Sequence, residues 1–115
     1  MTDRPPPDRD ELLKGTLDLL VLKALQLGAM HGWGITERLL QGSRQVLRIG
    51  QGSLYPALYR LERQGFIRSE WGTSDHNRRA RFYALTPAGR TQLVLERQEW
   101  RRMARAVENV LAMEG

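Results

Sequence analysis

Cysteine is absent from the 115 residues, so neither a disulfide nor a thiolate metal site can form, and a reducing cytoplasm is the expected setting. Histidine occurs only twice, as His31 and His76, and no cluster of carboxylates accompanies either one, so neither a metal nor a cofactor is expected. A long apolar run is missing as well. The richest stretch, residues 17–27, is broken by Asp18, Lys23 and Gln26 and is too short and polar to span a bilayer, and no charged-then-apolar leader opens the chain. The makings of an active site are also lacking: Ser53 has no histidine in its motif, no glycine-rich phosphate loop precedes a helix, and the acidic residues are scattered, mostly beside arginines. An enzyme is therefore not expected.

What the chain does contain is positive charge, carried by arginine. Only Lys14 and Lys23 among the 18 basic residues are lysines, and 13 acidic residues leave a net charge of +5. That balance favours a polyanionic partner, and the planar guanidinium can bind phosphate or a guanine edge through two hydrogen bonds. A hydrophobic content of 41% excludes wholesale disorder, and the length suits a single domain.

Residues 52–67, GSLYPALYRLERQGFI, read as one short amphipathic helix. Leu54, Leu58 and Leu61 recur at helical spacing and form a core face, leaving Tyr55, Tyr59, Arg60 and Arg63 on or near the other side. Ser53 is the expected N-cap, Pro56 is expected in the first turn, and Gly65 is placed as the left-handed residue past the end. Residues 67–71 (IRSEW) and 79–85 (RARFYAL) then alternate as strands around the turn-rich GTSDHNR, a hairpin whose second arm carries Arg78, Arg79 and Arg81. A recognition helix followed at once by a basic hairpin is the order of a winged helix-turn-helix. Tyr55 and Tyr59 read as DNA contacts, with packing beneath the wing as the alternative. Arg63 reads as a solvated charge or a partner for Glu62 or Glu70, His31 as a turn residue bonded locally, and His76 as an exposed residue at the wing tip.

The remaining elements follow from periodicity. MTDRPPPDRDE, with three consecutive prolines and with Arg4 and Arg9, is expected to be an extended or disordered arm over residues 1–11. A first helix should run from Glu11 or Leu12 to Leu27, with Leu13, Leu17, Leu20, Val21, Ala24 and Leu25 as its apolar stripe. Gly32 and Gly34 permit a sharp bend into a second helix buried through Trp33, Ile35, Leu39 and Leu40. Val46, Leu47 or Ile49 is expected to add a third strand to the hairpin. Thr86 and Pro87 announce a long last helix. In it Leu93, Trp100 and Val107 are seven apart, and Met103, Ala104, Val110 and Leu111 fill the same side. So long a stripe needs a further surface. A second copy of the chain supplies one, the first helix of the same chain supplies another, and both are satisfied if first and last helices pack across a dimer.

The segments LLKGTLDLLVLKAL, MHGWGI, GSLYPALYRLERQGFI, EWG and RRARFYALTPAGR, in this order and spacing, together resemble the PadR family of bacterial transcriptional regulators, over about residues 12–111. The single terminal helix resembles the family's compact subfamily. The resemblance implies a mainly α fold with a small β-hairpin wing: a winged helix-turn-helix over residues 12–85 and a C-terminal dimerisation helix over 86–115. It also implies a cytoplasmic homodimer without membrane attachment, usually a repressor, that binds a palindromic operator in double-stranded DNA. Ser53, Tyr55, Pro56, Tyr59 and Arg60 would then lie on the recognition helix, with Arg78, Arg79 and Arg81 on the wing. Trp100 resembles the tryptophan that stacks planar ligands in drug-responsive members, so it is a candidate for effector binding as well as for dimer packing. A winged-helix protein–protein adaptor that does not touch nucleic acid is the competing function, and it has no need of three arginines on one hairpin arm.

Overall fold

The computed structural model describes residues 16–115. The expected N-terminal arm with Arg4 and Arg9, the start of the first helix and Leu13 lie outside the described residues.

Helix α1 (Leu17–Gln26) is amphipathic and buries Leu17, Val21, Leu22, Ala24 and Leu25. Arg38 closes its C-terminal end, where Nη1 donates to the carbonyls of Ala24 (2.9 Å) and Gly28 (2.6 Å), placing positive charge at the negative end of the helix dipole. Strand β1 (Met30–His31) leads directly into α2 (Gly32–Gly42). His31 caps α2 by accepting the Gly34 amide at Nδ1, 3.0 Å away, which matches the local bond expected of it. The glycines here serve close approach: a Cβ on Gly34 would collide with Met30 Sδ, and one on Gly32 would lie 2.6 Å from the Tyr55 hydroxyl. Ile35 and Leu39 are buried as expected, but Trp33 is 61% exposed. The first turn of α2 abuts Met30 and Tyr55, which directs the Trp33 side chain outward.

Helix α3 (Gln51–Arg63) begins two residues before Ser53, with Gly50 as its N-cap, because the Ser53 and Leu54 amides already bond to the Gly50 carbonyl. Ser53 is thus inside the first turn, and Pro56 falls in the second turn, where it lacks the N–H that would reach the Gly52 carbonyl. The other end is as expected. Gly65 (φ +81°) is left-handed, its amide bonds to Glu62, and the Phe66 amide bonds to Leu61, the paired bonds of a Schellman closure.

Strands β2 (Ile67–Thr73) and β3 (Arg79–Leu85) form the hairpin, and the antiparallel sheet runs β1-β3-β2. The third strand is therefore Met30–His31, paired with Phe82 and Tyr83. The segment expected to supply it cannot do so: Arg44 and Gln45 are left-handed (φ 56° and 71°), which turns the chain sharply, and the Leu47 amide is taken by Ser43 Oγ. Leu22, Ile35, Leu54, Leu58, Leu61 and Ile67 meet in the core between the three helices and the sheet.

Helix α4 (Pro87–Leu111) starts as the Thr-Pro signal predicts: Thr86 Oγ1 accepts the Gly89 amide at 3.0 Å. The same hydroxyl donates to the Gly65 carbonyl (2.6 Å), and the Thr86 amide donates to the Phe66 carbonyl (3.1 Å). A Cβ on Gly89 would collide with that Phe66 carbonyl, so the base of α4 sits directly on the end of α3. The first turns of α4 pack on α1 within the chain. Leu93, grouped by its spacing with an intermolecular seam, is instead 5% exposed inside this core. Its early place in α4 puts it against α1 before the helix leaves the domain. Beyond it, Trp100, Met103, Val107, Val110 and Leu111 are all exposed along one stripe, with Ala104 half-buried among them.

Candidate nucleic-acid interface

The helical period divides α3 into a buried face, Leu54, Ala57, Leu58 and Leu61, and three outward sectors. Gly52, Pro56, Tyr59 and Arg63 form the crest opposite the core, all exposed, with the Arg63 guanidinium over the Tyr59 ring at 5.7 Å. Arg63 thus pairs with an aromatic face rather than with Glu62 or Glu70. Ser53 and Arg60 occupy the flank toward α1, where Arg60 Nη2 bonds Asp18 Oδ1 at 2.8 Å. Tyr55 and Glu62 occupy the flank toward the wing.

In the hairpin, Trp71 pairs with Arg81, Ser69 with Tyr83 and Thr73 with Arg79, so strand alternation puts Ser69, Trp71, Arg79, Arg81 and Tyr83 on one face. That face looks toward α3. Tyr83 is buried at its inner end, and burial, partly opposed by the nearby Arg81 charge, pushes the phenol above its ordinary value. Farther out, the Arg79 guanidinium lies over the Trp71 ring at 4.8 Å. Arg81 Nε donates to Ser69 Oγ at 2.8 Å, and its Nη2 lies 3.7 Å from Glu62 Oε2. At the tip, the Asn77 (φ 57°) amide donates to the Ser74 carbonyl, the Ser74 amide donates to the carbonyl of the exposed Arg78, and the Arg78 amide donates to Ser74 Oγ.

Between the recognition helix and the wing lies a groove of about 790 Å³, lined on one side by His31, Trp33 and Tyr55 and on the other by Trp71, Arg78 and Arg79. Four expected DNA-contact residues, Tyr55, Arg78, Arg79 and Arg81, converge there. Tyr59 and Pro56 stand on the adjoining crest, whereas Ser53 and Arg60 lie on the far flank. Trp71 and Trp33 were not legible as groove residues. The signal for Trp71 was its parity with Ser69 and its opposition to the arginine arm; Trp33 carried none, since a tryptophan beside helical apolar positions reads as buried. Rows of arginine with aromatic faces suit phosphate and base surfaces alike. Among the described residues no helix is long and apolar enough to cross a membrane.

The family described as "Transcriptional regulator PadR-like family" matches residues 21–95. A transcriptional regulator of Mycobacterium tuberculosis, Rv3488, is 36% identical over 97 residues, which span 84% of this chain and 87% of that protein. Among solved structures, a transcriptional regulator from Clostridium thermocellum aligns with a TM-score of 0.77 at 26% identity, covering 90% of this chain and 99% of the other. A PadR-like transcriptional regulator from Bacillus cereus aligns at 0.75 and 25%, with the same coverage. The helical body, the three-stranded sheet with its hairpin wing and the long last helix are the winged-helix architecture of these regulators, and the chain belongs to the PadR-like family of transcriptional regulators.

Proposed function

We propose that the chain is a cytoplasmic, sequence-specific DNA-binding regulator that acts as a homodimeric repressor at a palindromic operator. The observation that carries this reading is the convergence of Tyr55, Trp71, Arg78 and Arg79 on one groove beside the exposed crest of α3. The crest enters a major groove, where Gly52 and Pro56 keep its profile low and Tyr59 reaches bases or phosphates, as Ser53 does from the flank toward α1. Arg78 and Arg79 hold the flanking backbone, with Trp71 fixing the Arg79 guanidinium. Residues 12–85 form the DNA-binding unit, and residues 86–115 pair with a second copy through Trp100, Met103, Ala104, Val107, Val110 and Leu111. A two-fold pair of this kind presents its two recognition helices to half-sites about one helical turn (~34 Å) apart, which is the reason for a palindrome. Within the seam Trp100 serves burial first, and its ring is also where a planar effector would stack.

The test is fluorescence anisotropy with duplexes from the region upstream of the chain's own gene, titrated with salt. Binding should weaken steeply with salt, and Arg79→Ala should lower the slope of log K against log salt by about 0.9, the value for one phosphate contact. No binding even at low salt overturns the reading in favour of a protein-binding adaptor.

A further inference from the structure

The arginines of the wing are not equivalent. Arg78 is exposed at the turn, and Arg79 lies on an indole near the outer end of the strand. Arg81 is two residues closer to buried Tyr83 and is held by its own chain. Its Nε donates to Ser69 Oγ; that hydroxyl donates to Glu62 Oε2 at 2.6 Å; and the same carboxylate oxygen faces Arg81 Nη2. The three residues come from β3, β2 and the last turn of α3, so the ring they close ties both arms of the wing to the recognition helix. Every member has a defined job: the carboxylate only accepts, the guanidinium only donates, and the serine does both. The short contact between the hydroxyl and the carboxylate is a charge-assisted bond.

We infer that Glu62 is a positioning residue that sets DNA specificity. It withholds Arg81 from the phosphate backbone and uses that guanidinium as a strut fixing the wing at one distance from α3. The inference rests on the DNA-binding reading. The Arg81 side chain is still 48% exposed, so a free arginine here would add affinity for every sequence alike, since a phosphate contact carries no base information. A strut instead lets Arg79 and the crest of α3 meet the duplex in a single register. Net binding charge is given up for discrimination between sequences.

The experiment measures the salt slope and the ratio of operator to unrelated-duplex affinity for five variants, with thermal unfolding as a check on folding. Glu62→Gln keeps the shape of the side chain but removes the charge that holds Arg81. Its slope should rise by about 0.9, equivalent to about a 3.5-fold larger affinity loss over a fourfold rise in salt, and its specificity ratio should fall. Arg81→Ala should change the slope by less than half of what Arg79→Ala does. The double variant Glu62→Gln with Arg81→Ala should return to the unaltered slope, because the freed guanidinium is the source of the gain. Ser69→Ala, which leaves both charges in place, should shift the slope in the same direction as Glu62→Gln by a smaller amount. Equal losses for Arg81→Ala and Arg79→Ala would overturn the strut alone, as would a double variant that keeps the raised slope. Absence of salt-dependent binding by the unaltered chain would overturn the DNA reading and the strut together.

Discussion

Replacing Trp100 and Val107 together with alanine should dissolve the proposed pair of chains while leaving each domain folded. Both side chains are about half exposed, 49% and 51%, and neither belongs to the core cluster around Leu22 and Leu58. Half of a tryptophan surface is on the order of 100 Å², worth about 2.5 kcal/mol at 25 cal/mol per Å², and half of a valine about 1 kcal/mol. Two protomers lose these contacts, so the pair should weaken by about 7 kcal/mol, or roughly five powers of ten in Kd. Alanine is the strongest helix former, so α4 itself is not compromised. Sedimentation velocity over a dilution series reads the change directly, and an unchanged unfolding midpoint at low concentration confirms that the domain is intact. An unaltered chain that stays monomeric at tens of micromolar, or a double variant that shifts Kd by less than about tenfold, refutes the assignment of the seam.

Gly32→Ala places a methyl group 2.6 Å from the Tyr55 hydroxyl, and the exposed end of Tyr55 can swing aside, so stability should change by less than about 1 kcal/mol. Operator affinity should nevertheless drop to that of Tyr55→Ala, as measured by anisotropy; full affinity would show that Tyr55 is not fixed by this contact. Tyr83, its phenol raised above 10.0 chiefly by burial, keeps its proton in the folded chain at a pH where the unfolded chain has released it. The stability linked to it is therefore complete below about pH 10 and is lost as the pH climbs through the raised folded value. Urea unfolding across that range should show the loss, Tyr83→Phe should lessen it, and an identical alkaline profile in the variant would disprove the linkage.

Those parts of the fold whose residues repeat with a clear period were legible in the sequence. The buried row Leu54, Leu58 and Leu61, the left-handed Gly65 and the Thr86–Pro87 start all stand where spacing and backbone chemistry put them. What was not legible depends on contacts between distant segments. Two residues, Met30 and His31, show no alternation, so β1 exists only because β3 offers it an edge. Trp33 faces outward because Gly32 and Gly34 bring the start of α2 hard against Tyr55 and Met30, a constraint no local pattern reveals. The heptad through Leu93, Trp100 and Val107 marks one face of a helix without saying where the domain beneath it stops. Likewise, an arginine row on a strand does not show that Asp18 and Glu62 have already engaged Arg60 and Arg81.

The seating of α4 on the Phe66 carbonyl has a mechanical side. A 25-residue helix is about 37 Å long, and its near end bears on the peptide group that follows the Schellman turn of α3. It is a lever with a very short inner arm. A sideways swing of about 4 Å at its far tip turns the axis by only some 6°, since each residue adds about 1.5 Å to its length. In the pair of chains proposed above, the separation of the reading heads is thereby insulated from jostling at the coupling, and responds only to large, concerted reorientation of the two shafts.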